Sequence, residues 1–175
     1  VSDYLRQTIR LRLPGNIEGL TIHLRPEAIA TAFYHYSHGL KKHDGNCQRI
    51  AHGHRSMLEL WVDGERDLAL EQQWASRWAD IYLGSLEDVV PLAQLDLSEQ
   101  AGLCQEPHYI GFRYQAPQGD FQLLMARAEV ELVDSDTTVE LLADYIARQL
   151  EPQLAGRSLR VVAYEGVGKG AIAEL

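Results

Sequence analysis

The sequence contains few cysteines, fewer basic than acidic residues, and no long apolar run. Cys47 and Cys104 are its two cysteines among 175 residues, too few for the disulfide framework of a small secreted domain, so Cys47 is a candidate reactive thiol. The 16 lysines and arginines against 25 aspartates and glutamates give a formal charge of −9, which argues against a nucleic-acid-binding surface. We therefore expect a small-molecule or protein partner.

No stretch of about 18 apolar residues could span a membrane, and no basic and apolar leader opens the chain. The lack of both predicts a cytoplasmic protein. Hydrophobic residues make up 46% of the chain, which is enough to bury a core, so disorder is not expected. One globular domain, or one domain with a fragment of another, fits the length.

The hydrophobic pattern alternates in some segments and follows helical spacing in others. The predicted strands are residues 20–24, 30–37, 54–62, 109–114, 121–133 and 159–165. The predicted helices are a first helix ending at Pro14, a helix over 70–82 whose apolar face packs on the core, a segment within 84–103, and a helix over 137–150. Strands and helices in this mixed order indicate an α+β fold.

A helix followed by a strand is predicted near each end of the chain. Both strands lead to a glutamate, Glu27 in the first unit and Glu165 in the second. We interpret the recurrence as an internal duplication. Residues 1–28 would then be the tail of a preceding repeat, and residues 29–175 would form the principal domain.

The stretch from His38 to His54 is the part of the sequence with the clearest chemistry. On a strand, residues two apart face the same way, so His52 and His54 can offer both imidazoles to one ion. His38 ends the neighbouring strand and can supply a third ligand, the number that a catalytic zinc site takes while a fourth position stays open. Two surface histidines with a chance neighbour are the alternative, which a His-X-His pair alone would favour.

The whole spacing resembles a known family. In the 6-pyruvoyl-tetrahydropterin synthase and 6-carboxytetrahydropterin synthase family, a strand ending in histidine precedes a loop cysteine and a His-Gly-His motif. The segment from Tyr34 to Gly64 is similar, with His38, Cys47 and His52-Gly-His54 at the corresponding positions.

Two further segments resemble this family. Thr137-Thr138-Val-Glu140 is similar to its Pro-Thr-Ser-Glu helix start, and the strand ending at Glu165 is similar to the one that carries its pterin-holding glutamate. No resemblance is seen from residue 65 to residue 135. The resemblance thus spans the principal domain but leaves a long unlike middle.

The resemblance implies both a fold and an activity. The fold would be a tunnelling-type α+β fold, an antiparallel sheet with helices on one face, in which a homo-oligomer joins its sheets into a barrel. Joining sheets also covers exposed strand edges. The activity would be that of a zinc-dependent carbon–oxygen lyase acting on dihydroneopterin triphosphate or a close pterin.

The resemblance also implies residue roles. His38, His52 and His54 would hold Zn²⁺, which would chelate the substrate hydroxyls and stabilise an enediolate. Cys47 would be the general base, because a nearby dication favours its thiolate. Glu165, accepting two hydrogen bonds, and Thr138 would bind the substrate. Asp96, in Leu95-Asp96-Leu97, would correspond to the aspartate of the Leu-Asp-His proton relay of the family.

The relay histidine is missing after Asp96, where Leu97 stands instead. Three other histidines could replace it, and the sequence does not rank them: His35, His43 and His108. One alternative function is therefore a catalytically degenerate zinc-binding or pterin-binding half of a tandem protein. A zinc hydrolase with Glu59 as its base is a third, although its spacing from His54 puts the two on opposite faces.

Overall fold

A computed structural model describes residues 1–24 and 32–175, which contain three α-helices and ten strands. The helices are α1 (Ser2–Arg10), α2 (Leu68–Arg77) and α3 (Val139–Leu154). The strands are β1 (Phe33–His38), β2 (His52–Val62), β3 (Glu65–Arg66), β4 (Ile81–Ser85), β5 (Val89–Val90), β6 (Tyr109–Ala116), β7 (Gly119–Ala126), β8 (Val130–Val133), β9 (Leu159–Gly166) and β10 (Lys169–Glu174). The α+β class expected from the pattern is confirmed.

The main sheet has seven strands in the order β10-β9-β2-β1-β4-β8, with β3 paired to β2. β1 and β2 are antiparallel, and their register sets His38 opposite His52 and Tyr36 opposite His54. β4 pairs with β1 in parallel, and β8 pairs with β4 in parallel. The sheet is therefore mixed where an antiparallel one was expected. The helix α2 carries the chain from β2 to β4, and such a crossover allows a parallel pairing.

The helices α2 and α3 cover one face of the main sheet, as expected. Alternation along β1 and β2 turns their apolar side chains to this face, where they form the larger core with both helices. Trp78, the residue after α2, and Ile146 of α3 are fully buried in the same core cluster as Leu58 and Leu60 of β2. Both α2 and α3 begin with a side-chain cap. At the start of α2, Asp67 accepts from the Leu70 amide at 2.9 Å, and Thr138 caps α3.

Two predicted elements are wrong, and a third was predicted too long at its C-terminal end. Residues 20–24 form no strand, and the helix predicted over 70–82 ends at Arg77. Asp80, at a positive φ of 58°, turns the chain there, and its amide donates to the His35 carbonyl so that β4 begins beside β1. The helix predicted within 84–103 is instead the end of β4, the short strand β5 and several single 3₁₀ turns.

The hairpin predicted around residues 117–120 is confirmed, and β5, β6 and β7 form a second, three-stranded sheet. The strand predicted over 121–133 is two strands, because a 3₁₀ turn at Arg127–Glu129 separates β7 from β8. β8 leaves the hairpin and joins the main sheet. The final strand β10 was not predicted.

The domain division at residues 28 and 29 lies outside the described residues, as does Glu27 of the predicted repeat. The duplication therefore stays a prediction. Across residues 1–24 and 32–175, every helix is too short or too polar to cross a membrane.

Candidate metal centre

Three histidines meet at the end of β1 and the start of β2. Each offers one ligand atom, and these atoms lie within 4.8 Å of one another. The antiparallel register produces the cluster, since His38 is opposite His52 and His54 lies two residues further along the same face. The ring of Tyr36, which belongs to the hydrophobic core, stacks on His54 at a centroid distance of 5.5 Å.

The Nδ1 atom of each histidine faces a hydrogen-bond acceptor. His52 Nδ1 lies 3.3 Å from the Arg49 carbonyl, and His54 Nδ1 lies 3.4 Å from the Glu165 carbonyl. A carbonyl can only accept, so both Nδ1 atoms carry the proton. Each Nε2 atom is left with a lone pair.

His38 reaches the same tautomer through a hydroxyl. Its Nδ1 lies 2.8 Å from Thr137 Oγ1, and that hydroxyl donates to the Gly39 carbonyl at 3.3 Å. Since the hydroxyl proton goes to the carbonyl, the oxygen accepts from Nδ1–H of His38. Such an outer hydrogen bond fixes the orientation and tautomer of metal-ligating histidines.

The unused nitrogens fit a metal ion. Within the part of the chain that the structure describes, Nε2 of His38 and Nε2 of His52 are buried and have no hydrogen-bond partner. An unpaired buried polar atom is costly, and a metal ion would satisfy both. The ligand atoms are close enough together to share one ion, and imidazole nitrogens are common ligands of divalent transition metals.

The electrostatics of the cluster favour neutral imidazoles. Burial, and next the neighbouring His52 and His54, lower the pKa of His38 to about 3. Burial also lowers the pKa of His52, with smaller contributions from His54 and His43. A neutral imidazole is the form that binds a metal ion, so at neutral pH His38 and His52 are in the metal-binding form.

The loop that carries Cys47 is fixed beside the histidines. The Leu40 amide, two residues after His38, donates to the Cys47 carbonyl at 2.9 Å. Gly39 packs so closely that a side chain there would overlap the Tyr114 hydroxyl and the Ile50 main chain. The thiol is half-buried and belongs to a short 3₁₀ turn.

Side chains and main-chain groups of β4, β6 and the hairpin turn hold this loop in place. Tyr82 of β4 donates to the Ile50 carbonyl at 2.7 Å, and Tyr114 of β6 donates to the Gln48 carbonyl at 2.6 Å. The Gln118 amide, in the hairpin turn, donates to the buried Gln48 side chain at 3.0 Å. The second sheet therefore helps to hold the Cys47 loop in place.

Glu165 lies at the same site. Its carbonyl orients His54, and its carboxylate is close enough to raise the pKa of Tyr36 after the larger effect of burial. The same carboxylate forms an ion pair with Lys169. The side chain of Glu165 is 18% exposed, so it is largely but not fully buried.

Two predicted substrate or relay residues are placed differently. Thr138 uses its hydroxyl to cap α3, whereas Thr137, which the sequence reading passed over, supports His38. Asp96 is 79% exposed beside the second sheet, 3.6 Å from Arg113. No local pattern distinguishes Thr137 from Thr138, and only the fold does so.

The remaining candidates separate by their position. Glu59 occupies the opposite face of the sheet from His54, as the alternation predicted, and His35 lies on that opposite face too. His108 is exposed before β6. His43 lies in the loop before Cys47 and contributes to lowering the pKa of His52. It is therefore the candidate that interacts electrostatically with the three-histidine cluster.

Comparison with known proteins identifies a related segment and a related fold. Residues 29–82 match the family model described as 6-pyruvoyl tetrahydropterin synthase, so the resemblance continues past residue 65, where it was expected to stop. The 6-pyruvoyl tetrahydropterin synthase of Plasmodium falciparum is 12% identical over 82% of this chain and 91% of that chain, with a TM-score of 0.56.

The Plasmodium vivax protein is 11% identical with the same coverage and the same TM-score of 0.56. A Plasmodium vivax variant altered at a residue described as catalytic also matches, with a TM-score of 0.55. Comparison with curated proteins gave no significant match. At these identities the structural likeness concerns the fold.

Proposed function

Since the chain carries the sequence segment and the fold of the 6-pyruvoyl tetrahydropterin synthase family, we propose that it is a zinc-dependent pterin synthase-like lyase. Its substrate would be dihydroneopterin triphosphate or a close pterin. The observation that carries the proposal is the set of three histidines whose ligand atoms lie within 4.8 Å of one another. His38, His52 and His54 would hold Zn²⁺.

The residues around the histidines supply the remaining functions. When bound, zinc would act as a Lewis acid that polarises the side-chain hydroxyls of the substrate. Cys47 would take the carbon-bound proton as general base. Glu165 would accept hydrogen bonds from the ring N–H and the exocyclic amine of the pterin, which selects the pterin head.

His43 is the best candidate for returning a proton. Its Nδ1 accepts from the Gly45 amide at 2.9 Å, so its proton sits on Nε2, where it can be donated. Asp96 is not placed to return a proton at this site, because it is exposed beside Arg113. Thr138 as a substrate contact would have to share the hydroxyl that caps α3.

A homo-oligomer is part of the proposal. The outer strands β10 and β8 end the main sheet within the described chain, and open edges invite pairing with another copy. On the face opposite the helices, Phe33 and Ile172 are about half exposed. Joining sheets between copies would cover both features in a cytoplasmic assembly.

A second candidate function rests on the position of Asp96. With that carboxylate paired to Arg113, the proton relay of the family is incomplete, which favours a zinc-binding or pterin-binding half without turnover. A zinc hydrolase is disfavoured because Glu59 lies across the sheet, where Trp61 and Tyr164 donate to it.

One incubation decides between the first two functions. The zinc-loaded protein is mixed with dihydroneopterin triphosphate, and the products are identified by mass. A lyase releases inorganic triphosphate and a shortened or rearranged pterin side chain at a rate that a chelator abolishes. Unchanged substrate that nevertheless binds to the protein would support the degenerate half instead.

A further inference from the structure

Lys169 is an additional polar group at the candidate site. Its ammonium forms an ion pair with Glu165 Oε1 across the turn from β9 to β10. The register shifts between Lys169 and Gly170, and such a bulge re-aims a side chain. Hydrogen bonding to Glu165, with weaker effects of Cys47 and Glu140, raises the pKa of Lys169. The ammonium is thus paired with Glu165 and is near enough to Cys47 for an electrostatic effect.

A pterin has a matching edge. Its exocyclic amine and ring N3–H are two adjacent donors, and its 4-oxo group, next in line, is an acceptor. A carboxylate offers two acceptors and an ammonium offers a donor. Glu165 and Lys169 together therefore present acceptor, acceptor and donor, which is the complement of donor, donor and acceptor.

Resting on the proposed function, we infer that Lys169 determines specificity by donating to the 4-oxo group of the pterin that Glu165 holds. An ordinary surface ion pair is the competing explanation, and such pairs contribute little to stability. That explanation assigns Lys169 no effect on ligand choice, so ligand choice is the readout that separates the two.

The test pairs two ligands with two proteins. Pterin and its 4-thioxo analogue, which keeps N3–H but has a weaker acceptor, are titrated against the zinc-loaded protein and against Lys169→Met. The native protein should bind the 4-oxo compound about 5- to 20-fold more tightly. That factor is the contribution of a charge-assisted hydrogen bond that solvent exposure weakens. Lys169→Met should lose that factor for pterin and bind both compounds alike.

Arg160→Met is the matched control, because Arg160 pairs with Glu174 between the same two strands but at their other end. It should keep the native preference. Equal losses for both ligands in Lys169→Met would mean that Lys169 acts through Glu165 alone, and a gain in affinity would mean that it competes with the ligand. Either result overturns the inference while the proposed function stands. Absence of pterin binding by the native protein overturns both.

Discussion

The hydroxyl of Thr137 lies 2.8 Å from Nδ1 of His38, although 99 positions separate the two residues. The contact joins the start of α3 to the end of β1 and fixes which nitrogen of His38 is free. Thr137→Val keeps the shape of the side chain and removes the acceptor, so zinc affinity should fall by about 10- to 100-fold. Competition with a chromogenic chelator measures this.

The neighbouring threonine provides the control. Thr138→Ala removes the cap of α3 and should lower the free energy of unfolding by about 1 kcal/mol without changing zinc affinity. If both variants lose stability and zinc affinity in parallel, Thr137 has no separate role in orienting His38.

The metal ligands themselves give the plainest prediction. The native protein should contain about one zinc ion per chain, the stoichiometry of a three-histidine site, and His52→Ala or His54→Ala should remove it. His35→Ala, a histidine of β1 on the opposite face, should retain it. Elemental analysis after zinc-replete purification provides the measurement, and a metal-free native protein would contradict the assignment.

Cys47 should affect turnover and not zinc content. Cys47→Ala should abolish lyase activity while zinc and the unfolding midpoint stay native, because the thiol is proposed as base and not as ligand. Cys104→Ala, in a distant loop, should leave activity unchanged. Zinc lost together with activity would make Cys47 a fourth ligand, and the centre would then be a closed structural site.

Glu165 acts through two different groups, which makes its variant selective. Glu165→Gln keeps the carbonyl that orients His54 but turns one carboxylate oxygen into a donor. Pterin affinity should fall by roughly 30- to 1000-fold, or about 2–4 kcal/mol, with zinc content unchanged. Fluorescence quenching by neopterin tests this, with Glu174→Gln as the control. Equal affinities would make Glu165 an ordinary carboxylate.

The buried histidines predict how the metal-free protein responds to acid. His38 has a pKa of about 3 when folded and an ordinary value of 6.5 when unfolded, and the pKa of His52 shifts in the same direction. Below about pH 6.5 the unfolded state therefore binds protons that the folded state excludes, so stability falls as pH drops towards 3.

Each histidine contributes a slope of at most about 1.4 kcal/mol per pH unit. Urea unfolding in the presence of a chelator, from neutral to about pH 5, measures the slope. His38→Gln should flatten it, since the substituted side chain does not titrate. A native slope no steeper than that of the variant would argue against burial of His38 as the cause.

Local pattern predicted the parts of the fold in which one periodicity dominates. Alternation identified β1, β2 and β9, and the last helix was predicted to begin at residue 137, two residues before the start of α3 at Val139. Alternation also brought His52 and His54 to one face. These elements needed no information from distant parts of the chain.

Tertiary contacts decided the rest. Ile81 and Tyr82 continue the helical spacing of α2, but the turn at Asp80 and the open edge of β1 recruit them into a parallel strand. The single turns around Pro91 share the apolar spacing of a helix without its length. The choice of Thr137 over Thr138 depends on how α3 is set against β1, which no local pattern encodes.

The acceptors that orient the three histidines differ in how easily mutation can remove them. For His52 and His54 the acceptor is a main-chain carbonyl, so any residue at positions 49 and 165 would still provide it. For His38 it is a side-chain hydroxyl, which only serine could replace with little change at position 137. The orientation of His52 and His54 is thus insensitive to the side chains at positions 49 and 165, whereas the orientation of His38 depends on a hydroxyl side chain at position 137.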